Sequence, residues 1–179
     1  MNPVLQAVAD SAVGATGAAA GWVMALRDER LTVLAAFGAG SVVGTDVAAG
    51  EGTAGFVATS GQPMAMAVRE GDARLSEGAL GLLPERPSSV LCVPCTAADT
   101  VVGVLELVDK AGGATFTFDD VEVASLLAGI AAVAIESDEG DVAVRAPDEL
   151  GAELRRLAAA DPAGYVQVAT LVEAILARG

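Results

Sequence analysis

Two stretches of alternating apolar residues, each folded back at a polar turn, constrain this chain more than any other feature. In the first, Ala18 to Leu26 sets Trp22, Met24 and Leu26 against Val23 and Ala25; Asp28 and Glu29 interrupt it, and Leu31 to Phe37 returns. In the second, Ser88 to Cys95 and Val101 to Val108 flank a polar turn at Ala97 to Thr100. A period of two marks a strand with one face in a core, and a short polar break between two such runs marks a hairpin. Helical patterns surround them. Val4, Leu5, Val8, Ala12 and Val13 fall near one side of a helix, Gln6 and Asp10 opposite, with Gly14 and Gly17 to end it. Gly38 to Gly50 is a glycine-rich connection, Glu51 to Ser60 a short helix stopped by Gly61, and Met64 to Val68 a short strand after Pro63. A longer helix runs from about Asp119 to Glu136, its first acids suited to the helix macrodipole. The order predicts an α+β fold: a mostly antiparallel sheet of five to six strands flanked by helices.

The composition says what fills it. The 179 residues are 53% hydrophobic but only 3% aromatic, so the core must be Ala, Val and Leu, with Trp22, Phe37, Phe56, Phe116 and Phe118 as the few large fillers. That length supports one ordinary core. Net charge is −14, which repels phosphate backbones and anionic lipids, so neither nucleic acid nor a membrane surface is an expected partner. The longest apolar run, Val123 to Ile135, is too short to span a bilayer and is bounded by Glu122 and Glu136. The N-terminus lacks the pattern of a signal peptide, and the two cysteines suit a reducing compartment, so a cytoplasmic location is expected. There is no histidine, which removes the commonest general base, metal ligand and heme ligand; no cofactor and no metal are expected.

The segments from Val33 to Gly38, Gly50 to Val57 with Gly61 to Pro63, Asp72 to Arg74, Ser88 to Pro94, Val102 to Val108 and Phe116 to Glu136 stand in an order that resembles the GAF domain. The resemblance covers roughly residues 1–137. It implies a small-molecule-binding or dimerising regulatory module. Cyclic-nucleotide-binding GAF domains carry an Asn-Lys, a Phe and an Asp-Glu; here stand Asp109-Lys110, Phe116 and Asp120-Val121. The resemblance implies a structural pair of Lys110 with Asp120 and does not favour a nucleotide. Tetrapyrrole-binding members need a cysteine or histidine close to the chromophore, which does not fit a chain with no histidine and both cysteines in a strand. Free methionine-R-sulfoxide reductase is a GAF-like enzyme with cysteines in the loops around its pocket; here those places are Thr53-Ala54 and the loop from Arg69 to Pro87, which hold none.

Within that frame the candidate ligand-binding residues are Arg69, Arg74, Ser88, Ser89 and Glu106, with Asp72 and Ser76 in the same region. Arg beside Ser suits a carboxylate or other small anion, against the plain alternative of solvated loop polarity. Glu106 sits among apolar strand neighbours and shares a face with Val102, Val104 and Val108, so it points to solvent or into the pocket. Cys92-Val-Pro-Cys95 is a C-x-x-C, but in a strand its thiols face opposite sides, about 10 Å apart at ~3.3 Å per residue, beyond disulfide reach. The plain reading is two small apolar residues. No residues have the spacing of a catalytic dyad or triad, so no enzymatic activity is expected.

Residues 138–147 read as a linker and 148–179 as a helical extension. Pro147-Asp148-Glu149 and Asp161-Pro162 are helix starts. Leu150, Leu154 and Leu157 share one face of the first helix; Val168, Leu171, Val172, Ile175 and Leu176 line the second against Gln167, Thr170 and Glu173, with a turn at Ala158 to Asp161. The expected function is a non-catalytic regulatory domain that forms a homodimer, because the helix Val121 to Ile135 is apolar almost all round and one sheet covers only one side. The extension is expected to dock a partner protein. The alternative is a sensor of a small metabolite, and a more distant one is a redox or metal response through Cys92 and Cys95.

Overall fold

The computed structural model describes residues 2–40, 42–69, 86–138 and 147–176. The chain divides into two units, Met1–Gly140 and Asp141–Gly179.

The first unit is built on a six-stranded antiparallel sheet. Its strands are β1 (Ala18–Arg27), β2 (Arg30–Phe37), β3 (Asp46–Ala48), β4 (Met64–Ala67), β5 (Ser89–Ala97) and β6 (Thr100–Lys110). They lie in the order β3-β2-β1-β6-β5-β4. The two expected hairpins, β1–β2 and β5–β6, meet through the pairing of β1 with β6. Both turn on two residues at positive φ, Asp28 (46°) and Glu29 (62°) in one, Ala98 (45°) and Asp99 (65°) in the other. Such turns match the right-handed twist of the flanking strands even without the usual Asn-Gly. β3 was not expected: it is three residues inside the glycine-rich connection, and only pairing with Arg30, Leu31 and Thr32 of β2 defines it.

Helices cover both faces. α1 (Pro3–Thr16) and α3 (Phe118–Asp138) pack on one, and α2 (Gly52–Ser60) on the other. Asn2 caps α1 by accepting from the Val4 amide at 2.9 Å. Gly14, expected to help end the helix, lies inside it; Gly17, at φ 68°, ends it in the left-handed conformation that glycine adopts without cost. The buried stripe of α1 is Leu5, Val8, Ala9, Ala12, Val13 and Thr16, whereas Val4 is exposed, one position off the sequence expectation.

The helices of the first face approach so closely that β-carbons are excluded beneath them. A Cβ on Gly21 would meet Leu107 Cδ2 at 2.5 Å and Val13 Cγ2 at 3.1 Å; one on Gly103 would collide with the Met24 carbonyl and lie 2.8 Å from Ile135 Cδ1. The buried side of α3 is correspondingly small: Ala124, Leu127, Ala128, Ala131, Ala132, Ala134 and Ile135. This is the Ala, Val and Leu core that the composition requires. The aromatic expectation holds for two of the five rings. Trp22 and Phe116 are buried, but Phe37, Phe56 and Phe118 are exposed, because a core closed by alanine and valine leaves no room for more rings.

The second unit is two helices, α4 (Pro147–Ala160) and α5 (Pro162–Leu176). They pack on each other, and the break between them is the single residue Asp161, shorter than the expected turn. Asp161 caps α5 by accepting from the Gly164 amide at 3.0 Å. Among the described residues no helix is long and apolar enough to cross a membrane.

Candidate functional site

The register of the central strands decides what faces α2. Glu106 of β6 stands opposite Trp22 of β1 on one side and Cys92 of β5 on the other, and Met64 of β4 continues the row. Strand alternation puts Val104, Glu106 and Val108 on one face with Ala20, Trp22, Met24, Val90 and Cys92. Ala54, Val57 and Ala58 of α2 close over them, and Met66, Leu31, Val33, Val42 and Val47 complete the cluster. Glu106 is therefore interior, 2% exposed, in an otherwise apolar layer.

A carboxyl group there must be hydrogen-bonded. Trp22 Nε1–H donates to Glu106 Oε2 at 3.0 Å, and the Thr53 hydroxyl, in the first turn of α2, donates to Oε1. Burial pushes the Glu106 pKa above the usual carboxylate value; the bonds from Thr53 and Trp22 pull the other way and do not cancel it. No side chain cation contacts the carboxyl group among the described residues. Beside it, burial drives the Cys92 thiol well up, with Glu106 and Cys95 adding to the effect. Cys95 is pushed up to about 12 by burial alone. It stands opposite Gly103, which lies under Ile135 of α3, so the two thiols face opposite sides of the sheet, as strand geometry predicts. Thiols held protonated in this way are poor nucleophiles and poor metal ligands. Among the described residues no three Cys, Asp or Glu side chains are grouped to hold a metal ion.

The other candidate residues lie elsewhere. Arg69 is exposed, just beyond β4, and Arg74, Asp72 and Ser76 fall outside the described residues. Ser88 donates through its amide (2.6 Å) and its hydroxyl (2.8 Å) to Asp109 Oδ1, and Ser89 Oγ accepts from the Lys110 amide at 3.0 Å. These bonds tie the start of β5 to the end of β6, away from Glu106. Lys110 and Asp120 do pair: Nζ lies 2.7 Å from both carboxylate oxygens and also donates to the Thr16 carbonyl, joining β6, α1 and α3. Lys110 Nζ also lies 5.7 Å from the centre of the Phe116 ring, within cation–π range. Asp120 accepts from the Thr117 amide at 2.6 Å, while its own amide approaches Thr117 Oγ1 at 3.4 Å, a capping box at the start of α3. Burial raises the Asp120 pKa, but the bonds from Lys110 and Thr117 outweigh it and hold the group below the usual aspartate value. Sequence reasoning missed Thr53 and Trp22 as partners of Glu106. Alternation gave the face of Glu106, but neither long-range partner has a local signature.

The family description "GAF domain" matches residues 2–136. The fold resembles the GAF domain of an Acinetobacter phosphoenolpyruvate-protein phosphotransferase: TM-score 0.66, 18% identity, covering 79% of this chain and 85% of that one. It also resembles the GAF-B domain of DevS from Mycobacterium smegmatis, with TM-score 0.60 and 27% identity over 76% of this chain and 93% of the other. A type II free methionine-R-sulfoxide reductase from Thermoplasma acidophilum shares the fold at TM-score 0.62 and 16% identity, over 76% of this chain and 92% of that one. No curated protein matches the chain. The chain belongs to the GAF domain family, a family of regulatory and sensory modules.

Proposed function

We propose that this protein is a non-catalytic regulatory GAF domain that acts by forming a homodimer through α3 and by engaging a protein partner. The observation that carries the reading is the outward face of α3. Val123 (38% exposed), Leu126 (47%) and Val133 (64%) form an apolar stripe at helical spacing, with Gly129 between them. A helix whose inner face is already buried against the sheet and α1 calls for a second cover along such a stripe. In a chain of net charge −14, a stripe free of charge from Val123 to Ala134 favours an apolar partner, and a second copy presents one. The interior supports a regulatory rather than catalytic reading. The carboxyl group facing α2, Glu106, is engaged by Trp22 and Thr53 of the same chain, and the Cys92 thiol beside it is held protonated.

Sedimentation equilibrium at micromolar concentration is expected to give a dimer, and Leu126→Glu combined with Val133→Glu a folded monomer. A monomeric wild type would sink the proposal. The α4–α5 unit supplies the protein-interaction half: Tyr165, Val168 and Val172 share an exposed stripe of α5. Removal of residues 142–179 is expected to leave a folded GAF domain that no longer retains its partner. A truncated protein that aggregates would show instead that the helices belong to the core.

The second reading, a sensor of a small metabolite, draws on the same Glu106, a polar group placed on the α2-covered face. Native mass spectrometry of protein from its own host tests it; a retained small molecule would favour the sensor.

A further inference from the structure

α2 is a short element of the GAF unit, held to the sheet along one face. It has nine residues, too few to hold as an isolated helix. It presents only small side chains, Ala54, Val57 and Ala58, to the sheet, and Phe56, Thr59 and Ser60 to solvent. Its N-cap residue, Glu51, makes no side-chain capping bond. The polar tie from α2 to the sheet is the Thr53 hydroxyl on Glu106. Elements with few buried contacts and short helices open locally at lower cost than core strands. Opening of α2 would carry Thr53 away and admit water to Glu106.

We propose that Glu106 is a proton-operated latch for α2, which closes the helix onto the sheet when the carboxyl group is neutral and releases it when the group ionises. The geometry supplies both states. Ionised, the carboxylate accepts from Trp22 and Thr53 but keeps a full charge in an apolar layer with no cation beside it among the described residues. Protonated, it loses that charge, and the Thr53 hydroxyl can turn to accept the carboxyl proton without moving the helix. Among the described residues, the groups that face Glu106 are Trp22 on β1, Cys92 on β5 and Thr53 on α2. Cys92 is the ionisable one among them, and burial keeps it protonated through neutral pH, so it does not compete.

The sign follows from linkage. The closed state raises the Glu106 pKa above its ordinary value, while the open, hydrated state restores it. Between those two values the closed state holds more protons. Closure is therefore complete below the ordinary value and weakens as pH rises toward the closed-state pKa, above which no further change occurs. The latch goes beyond the dimer reading and is independent of it, since oligomeric state is read separately.

Hydrogen exchange of the α2 amides, corrected for intrinsic rates, tests the latch on the full chain. In the wild type the α2 opening ratio should rise with pH by up to about tenfold per unit and then level off, while the amides of β1 and β6 keep their protection. Glu106→Gln should remove that pH dependence, because the amide is neutral throughout. Alkylation offers a second readout. Cys92, beneath α2, should react faster with rising pH in the wild type than in Glu106→Gln at the same pH, with Cys95 on the opposite face as reference. A flat wild-type profile, or the same slope in both proteins, overturns the latch. Should Glu106→Gln fail to fold, a carbon NMR titration of the wild type decides: a Glu106 carboxyl group titrating in the ordinary glutamate range overturns it.

Discussion

The two faces of the sheet are made from the same strands and differ in almost everything else. Under α1 and α3 the layer is closely approached, and Gly21 and Gly103 sit where any β-carbon would strike a neighbour. Under α2 the layer holds the chain's one tryptophan, a buried carboxyl group, a thiol and a threonine hydroxyl. The first face gains stability from close contact of small residues, with its ion pair of Lys110 and Asp120 at the edge where β6, α1 and α3 meet. The second accepts the cost of a buried ionisable group, and such costs are tolerated where a site or a switch needs them.

The largest effect that tests this division is expected at Trp22. Trp22→Ala should cost about 3–5 kcal/mol, the range for a large aromatic removed from a core, and it also takes a donor from Glu106. Trp22→Phe keeps most of the bulk and isolates the lost donor, at about 1–3 kcal/mol. Urea denaturation of both variants separates packing from polarity; a Trp22→Phe loss near zero would mean that the indole N–H contributes little, and a loss equal to that of Trp22→Ala would mean that the ring's bulk does.

On the other face, Gly103→Ala should cost about 1–3 kcal/mol through overpacking between β1 and α3. The loss should be independent of pH, since no ionisable side chain is involved. A neutral or stabilising result would show that the helix face yields more than its packing suggests.

The smallest effect compares the faces directly. Cys92→Ala and Cys95→Ala remove the same group from opposite sides, and each should cost about 1 kcal/mol, near the centre of core substitutions. Neither should alter dimerisation. Stoichiometric zinc in the untreated protein, or an oligomeric state that responds to reductant, would restore a metal or redox role to the thiols.

Periodicity and breakers alone determined much of this protein. Alternation over residues 18–37 and 88–108 specified four strands and their pairing into hairpins, because a strand with buried neighbours must repeat every two residues. Gly17, Gly61 and Asp161 marked helix ends through local backbone and capping chemistry, which needs no distant partner. Lys110 with Asp120 was legible only through resemblance to a family, and their neighbour Thr117 was not seen. What tertiary structure decided is whatever depends on contacts far apart in sequence. β3 exists because β2 pairs with it, Phe56 is exposed because α2 turns its alanines inward, and Glu106 is a buried acid because Trp22, 84 residues away, and Thr53, 53 away, converge on it. A local pattern can say which way a side chain points; only the packed chain supplies the group it meets.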